Sequence, residues 1–137
     1  MSLSQTLTTS FKQQLLQGVH DFDTDTFKVA LYTASADLNA TTTVYTATGE
    51  VSGTGYTAGG DATTTSVSVT DTTAFVNFSN VVWTAALTAR GALIYNDTVV
   101  GKPAVAILDF GADKTSVTTF TVAMPTNSST SALIRLP

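Results

Sequence analysis

Hydrophobic residues near the N-terminus of the chain recur at every fourth position. They are Leu3, Leu7, Phe11, Leu15 and Val19, with Leu16 beside them. Side chains four residues apart lie on one face of an α-helix, so this spacing predicts one amphipathic helix. Ser4 is suited to cap its start, and Gly18 stands where a helix commonly ends. We therefore expect residues 1–20 to form an N-terminal helix or arm that packs on a sheet or on a neighbouring subunit.

After residue 20 the hydrophobic residues alternate with polar ones, which is typical of half-buried β-strands. Strands are predicted at 27–32, 65–70, 73–78, 80–83, 89–95, 104–110, 117–124 and 132–136. The segment 104–110 is almost continuously apolar and indicates a central strand. Turns are expected at Asn96-Asp97 and at 111–114.

Short strands that follow a single helix predict a mainly β fold. We expect an antiparallel β-sandwich or jelly-roll-like domain with one N-terminal α-helix. The β-sandwich spans 21–137 as a single domain and contains a long polar loop at about 34–62. Loops of that length are usually functional or fold against a partner.

Charged residues make up only 12% of the chain, about half the usual share, whereas 43% of the residues are hydrophobic. A surface with few charges suits a protein packed into an assembly, because fewer charges lose their water on contact. The formal net charge is -4, and the Lys and Arg residues are dispersed along the chain. We therefore expect no nucleic-acid partner.

The sequence also argues against several other classes of protein. No segment is long and apolar enough to cross a membrane, and residues 1–5 lack the basic and apolar regions of a signal peptide. Cysteine is absent, which removes disulfides, thiol catalysis and thiolate metal sites. We expect no cofactor and no membrane association.

Glycine is concentrated in the block 49–60, where Gly53-x-Gly55-x-x-Ala58 matches a dinucleotide-binding fingerprint. That fingerprint needs a preceding strand and a following helix, whose N-terminus binds the phosphates. Gly59-Gly60-Asp61 would break such a helix, so we interpret the block as a turn-rich loop. Its backbone is expected to lie flat against a neighbour, with Tyr56 as an anchor. On this view, Gly55→Val should weaken assembly more than folding.

Acidic residues alternate in Asp21-Phe22-Asp23-Thr24-Asp25, beside the single histidine, His20. The spacing resembles the start of a calcium loop, but the glycine and glutamate that such a loop requires are replaced by Thr26 and Tyr32. A solvated turn and a lone cation site both remain open for this segment.

Two further groups of residues have the chemistry of a site. Asp109 ends the apolar strand and is either a strand-end acceptor or a catalytic acid paired with His20. The other carboxylates, Glu50 included, fall mostly in predicted turns. Tyr56, Trp83, Tyr95 and Phe110 are either core residues or an aromatic platform for sugars.

Four segments resemble a family of small virion proteins from tailed bacteriophages. They are the segments 10–20, 27–33, 50–56 and 89–96, which read Ser-Phe-Lys-Gln-Gln-Leu-Leu-Gln-Gly-Val-His, Phe-Lys-Val-Ala-Leu-Tyr-Thr, Glu-Val-Ser-Gly-Thr-Gly-Tyr and Ala-Arg-Gly-Ala-Leu-Ile-Tyr-Asn. The resemblance covers most of the chain and implies a structural role in the head or tail, with no catalytic assignment. By analogy, the low charge and β-rich pattern are similar to those of capsid decoration (cement) proteins.

The resemblance and the low charge together predict a non-enzymatic virion component that decorates the capsid exterior, bridges capsid subunits and is made in the bacterial host cytoplasm. The expected partners are further copies of the chain, as a trimer, and the major capsid protein or other virion proteins. The candidate contact residues are Leu7, Phe11, Leu15, Gly53, Gly55 and Tyr56. The alternatives are a tail or neck protein, a carbohydrate-binding β-sandwich module and a small enzyme built on His20 and Asp109.

Overall fold

Ten strands and one short helix form the fold in a computed structural model, which describes residues 3–137. In chain order the elements are β1 (Thr6–Leu7), α1 (Thr9–Leu16), β2 (Phe27–Tyr32), β3 (Asp61–Thr63), β4 (Thr65–Thr70), β5 (Thr73–Phe78), β6 (Val81–Trp83), β7 (Thr88–Asn96), β8 (Ala104–Thr115), β9 (Phe120–Val122) and β10 (Ile134–Leu136). The strands pair antiparallel into a five-stranded sheet (β1-β8-β7-β2-β3), a three-stranded sheet (β10-β5-β4) and a two-stranded sheet (β6-β9). The mainly β, sandwich-like fold predicted from the sequence is thus confirmed.

The five-stranded sheet is covered on both faces. Odd-numbered residues of β2, such as Val29 and Leu31, face a core shared with the two smaller sheets and with Phe11 of α1. Even-numbered residues, Ala30 and Tyr32, face a second cluster that the loop segment 36–45 and Leu3 cover. Burial on both faces explains why the central strands are nearly continuous apolar runs.

The helix is shorter than predicted, and the prediction of one helix over 1–20 is wrong. Leu7 lies in β1, and Leu3 pairs with Leu38 in a parallel bridge. A spacing of four residues fits the helical period of 3.6 and also the strand period of two, so the pattern did not separate the two structures. Residues 1–2 lie outside the described part of the chain.

The ends of the helix are set by local hydrogen bonds. Thr8, not the predicted Ser4, is the N-cap, and its hydroxyl accepts a hydrogen bond from the amide of Phe11 at 3.2 Å. The prediction that Gly18 ends the helix is confirmed, since Gln17 is the C-cap and Gly18 has a φ of 72°.

Strand β8 runs through the turn predicted at 111–114. Ala89 pairs with Lys114 and Gly91 with Asp109, so residues 110–113 of β8 lie opposite the single residue Arg90. The glycine-containing segment is therefore a bulge within a strand, where Gly111 takes a φ of 83°. The turn predicted at Asn96-Asp97 is confirmed, because β7 ends at Asn96.

Candidate contact surface

The glycine-rich block is fastened to the domain by the carboxylate of Glu50. Oε1 accepts a hydrogen bond from the Tyr45 hydroxyl at 2.5 Å. Oε2 accepts one from the Tyr56 hydroxyl at 2.5 Å and one from the Gly59 amide at 2.8 Å. The Tyr56 oxygen in turn accepts the amide of Leu31 at 2.9 Å, which links the loop to β2. We call these four residues of the loop, Tyr45, Glu50, Tyr56 and Gly59, the Glu50 network.

The phenols of this region stay protonated over the physiological pH range. Burial and the hydrogen bond to Glu50 raise the pKa of Tyr45 to about 12. Burial also raises the pKa of Tyr56, with the Glu50 hydrogen bond as the second cause. Because a neutral phenol donates its hydrogen, the bonds to Glu50 persist across that range.

Two glycines of the block meet the rest of the domain closely. At Gly60, φ is 76° and an added Cβ would lie 1.8 Å from the carbonyl oxygen of Val29. At Gly55, φ is 91° and an added Cβ would lie 2.7 Å from the Cβ of Ala85. Gly55→Val would therefore strain the monomer itself, so this variant does not separate a loss of assembly from a loss of folding.

The outer surface of the block consists of small residues and is almost uncharged. Within residues 41–60, Glu50 is the only charged residue, and its oxygens are occupied by the Glu50 network. The exposed tip consists of Ser52, Gly53, Thr54 and Gly55. The loop is thus held by buried hydrogen bonds, and it exposes neutral backbone and short side chains to solvent.

The structure separates the six predicted contact residues into three groups. Phe11 and Tyr56 are 1% and 8% exposed and belong to the core, so neither can serve as an external contact or anchor. Gly53 and Gly55 are exposed at the loop tip. Leu7 and Leu15 are half-buried and pack on the same core as Phe11.

The positions of the four aromatic residues do not fit the alternative of a platform for sugars. Trp83, Tyr56 and Tyr95 are 3%, 8% and 0% exposed, so their ring faces are not available for stacking. The ring centroids of Tyr56 and Trp83 lie 5.8 Å apart within the core, and the half-buried Phe110 packs near Phe120. The alternative that these aromatic residues are core residues is the one the structure supports.

His20 is buried near the end of β7, where its ring nitrogens make polar contacts. Its Nδ1 lies 3.1 Å from Nδ2 of the fully buried Asn96, and its Nε2 lies 2.9 Å from Oε1 of Gln14. Asn96 also donates to Oδ2 of Asp25 at 2.8 Å. Burial lowers the pKa of His20, and the nearby Asp25 partly opposes this shift. The neutral ring thus acts as a structural bridge between the helix and the strand.

Asp109 belongs to a different part of the molecule from His20. Its Oδ1 accepts hydrogen bonds from Nε of Arg90 at 3.1 Å and from the amide of Gly111 at 2.9 Å. These partners lower the pKa of Asp109, the Gly111 amide first. Asp109 pairs with Gly91, five residues from Asn96 on β7, which is about 17 Å along a strand. His20 and Asp109 therefore do not form one catalytic pair.

The acidic segment folds as a turn. Oδ1 of Asp21 accepts the amide of Asp23 at 2.9 Å, and Oδ2 of Asp25 accepts the amide of Asp21 at 3.0 Å. Within residues 3–137, no group of three or more His, Cys, Asp or Glu side chains is arranged to hold a metal ion. The solvated turn is the alternative that the geometry supports.

An open apolar groove of about 440 Å³ separates this turn from the three-stranded sheet. One wall contains Leu15 and Phe22, and the other contains Val76 and Ile134. Sequence reasoning missed this groove and the Glu50 network. Both depend on which distant segments meet, although the alternation of Val67 and Val69 did indicate an apolar strand face.

Comparison of the chain with protein-family models, curated proteins and solved structures finds no match. Among the described residues, no helix has the length and hydrophobicity needed to cross a membrane.

Proposed function

We propose that the protein is a non-enzymatic structural component of a tailed-phage virion, which decorates the capsid and bridges capsid subunits as a homo-oligomer. The observation that carries the proposal is the outer surface of residues 41–60. It is neutral, built from small residues and held in place by the Glu50 network. The sequence resemblance to small virion proteins suggests that the assembly is a virion.

A surface of this kind suits a lasting contact with another protein. Docking it desolvates no unpaired charge, and short side chains such as Ser52 and Thr54 lose little rotamer entropy. The internal bonds of Glu50 fix the loop before contact, so less backbone ordering opposes binding. A modest contact per subunit is then strengthened by repetition over the shell.

The first experiment asks whether the protein belongs to the particle. Purified, salt-washed virions should contain it by mass spectrometry, and its absence would end the proposal. A labelled antibody should decorate the head. Decoration of the tail or neck instead would favour the alternative that the protein is a tail or neck component.

The second experiment tests the surface itself. Thr54→Glu places a charge at the exposed loop tip, whereas Thr130→Glu makes the same change at another exposed threonine. Particles lacking the protein are incubated with each variant, and bound copies are counted after washing. We expect Thr54→Glu to reduce occupancy at least tenfold and Thr130→Glu to leave it near the wild-type value. Equal occupancy of the two variants would show that the loop tip does not face the shell.

A further inference from the structure

Strand β4 is an unprotected edge of the three-stranded sheet. It pairs with β5 on one side, and the sheet order places no described strand on its other side. Its sequence, Thr-Ser-Val-Ser-Val-Thr, contains no charge and no proline, and its register with β5 is unbroken. Soluble proteins usually protect such edges with charges, proline or bulges. An edge without these devices is suited to pairing with another strand.

The turn between β4 and β5 determines which backbone groups face that open edge. Thr70 pairs with Thr73 across the two residues Asp71 and Thr72, and Asp71 has a φ of 53°. In such a hairpin the pair next to the turn is hydrogen-bonded, and bonded pairs then alternate along the ladder. The amides and carbonyls of Thr65, Val67 and Val69 therefore point away from β5, toward the open edge.

We propose that β4 pairs antiparallel with β4 of a second copy of this chain about a two-fold axis. A register centred on Val67 sets Val67 opposite its own counterpart and Thr65 opposite Val69, with about six new backbone hydrogen bonds. A two-fold axis perpendicular to the sheet keeps the valines of both copies on one face and the serines on the other. The strand is therefore complementary to itself.

The face of β4 that carries the valines would bury the most apolar surface in this pairing. Val67 and Val69 are 49% and 68% exposed and form cross-strand rows with Val76 and Ile134 and with Ala74 and Leu136. In the pair, the valine rows of the two copies become neighbours and form one continuous apolar face. This face adjoins the open groove described above.

The self-complementary register of β4 and its lack of charge point to a second copy as the occupant. The chain carries a formal net charge of -4, so a contact between two copies is least opposed where charge is absent. The segment 65–70 carries no charge, which makes it a place where two copies meet without direct repulsion. A charged peptide would have no partner for its charge on this strand, whereas a second β4 needs none.

Light scattering over a concentration series tests the proposal. One edge contact is small beside the roughly 800 Å² per partner of a stable interface, so we expect a dissociation constant of about 10–100 µM. The mass should rise from 14.2 kDa toward twice that value. Val67→Lys should weaken the dimer at least tenfold. Val82→Lys, at an equally exposed valine of β6, should leave the dimer unchanged.

Mixing two variants tests the two-fold register. At concentrations where the wild type is dimeric, Val67→Lys and Val67→Glu should each be mainly monomeric with a wild-type melting temperature. An equimolar mixture should recover the dimer because opposite charges then face each other. A monomer at the highest concentration overturns the proposal. So does an oligomer that Val67→Lys does not change, or a mixture that stays monomeric. None of these results depends on whether the protein is found in virions.

Discussion

Removal of the Glu50 carboxylate should destabilise the domain. In Glu50→Ala, the buried hydroxyl of Tyr56 and the amide of Gly59 both lose their acceptor. Tyr45 and Gly59 are half-buried, so water partly replaces their lost bonds, whereas Tyr56 is only 8% exposed. Each buried donor left without a partner costs about 1–3 kcal/mol. We therefore expect the free energy of unfolding to fall by about 3 kcal/mol.

The size of this effect can be measured by thermal unfolding. For a domain of this size, 1 kcal/mol corresponds to about 4 °C, so Glu50→Ala should lower the melting temperature by about 12 °C. Glu50→Gln keeps one acceptor oxygen for Tyr56 and Gly59, and it should lower the melting temperature by only about 4 °C. Amide hydrogen exchange should rise mainly in residues 41–60, because the Glu50 network holds that segment.

Asp113→Ala is the control for this measurement, since Asp113 is an exposed carboxylate with no side-chain hydrogen bond to the described residues. It should leave the melting temperature and the exchange of residues 41–60 near the wild-type values. If Glu50→Ala behaves like Asp113→Ala, the Glu50 network does not hold the loop. The account of a preformed contact surface would then be wrong.

Two further predictions concern folding. Gly60→Ala should lower the free energy of unfolding by more than about 4 kcal/mol, because the added Cβ would collide with the Val29 carbonyl. Gly101→Ala, at a glycine with positive φ and open space, should lower it by only about 1–2 kcal/mol. Denaturant unfolding of both variants checks this, and equal losses of stability would rule out the collision. Because burial lowers the pKa of His20 below its ordinary 6.5, the unfolded chain binds a proton that the folded chain does not, so stability should fall as pH drops through about 6.5 and level off below the lowered pKa. His20→Gln should remove this step from a series of melting temperatures between pH 8 and pH 5, and a step that persists would assign it to another group.

The strands were the part of the fold most open to prediction. The predicted bounds of β2, β4 and β5 agree with the structure residue for residue, because alternation or an apolar run ends at a turn in each case. The end of β8 was not predictable in the same way. A glycine with positive φ serves a bulge as well as a turn, and only the pairing with β7 distinguishes them.

The sequence predicted where the candidate contact surface lies in the chain, but it did not predict the directions of its side chains. Composition indicated that 49–60 is a loop, and exposed Gly53 and Gly55 agree with that interpretation. Composition did not reveal that Tyr56 points inward. The direction of its side chain follows from the acceptor at Glu50 and the amide of Leu31, and the latter lies on a strand 25 residues away.

The two proposed surfaces would have different consequences for assembly. A two-fold contact through β4 closes after two copies, so by itself it cannot bridge a shell. The proposed contact at the loop tip near Gly53 and Gly55 would be with a different protein, and it needs no symmetry. If both proposals hold, each dimer presents two loop tips, and the second binds at a high effective concentration once the first has docked. Val67→Lys should then lower occupancy on particles although its loop is intact, and Thr54→Glu should lower occupancy although its dimer is intact.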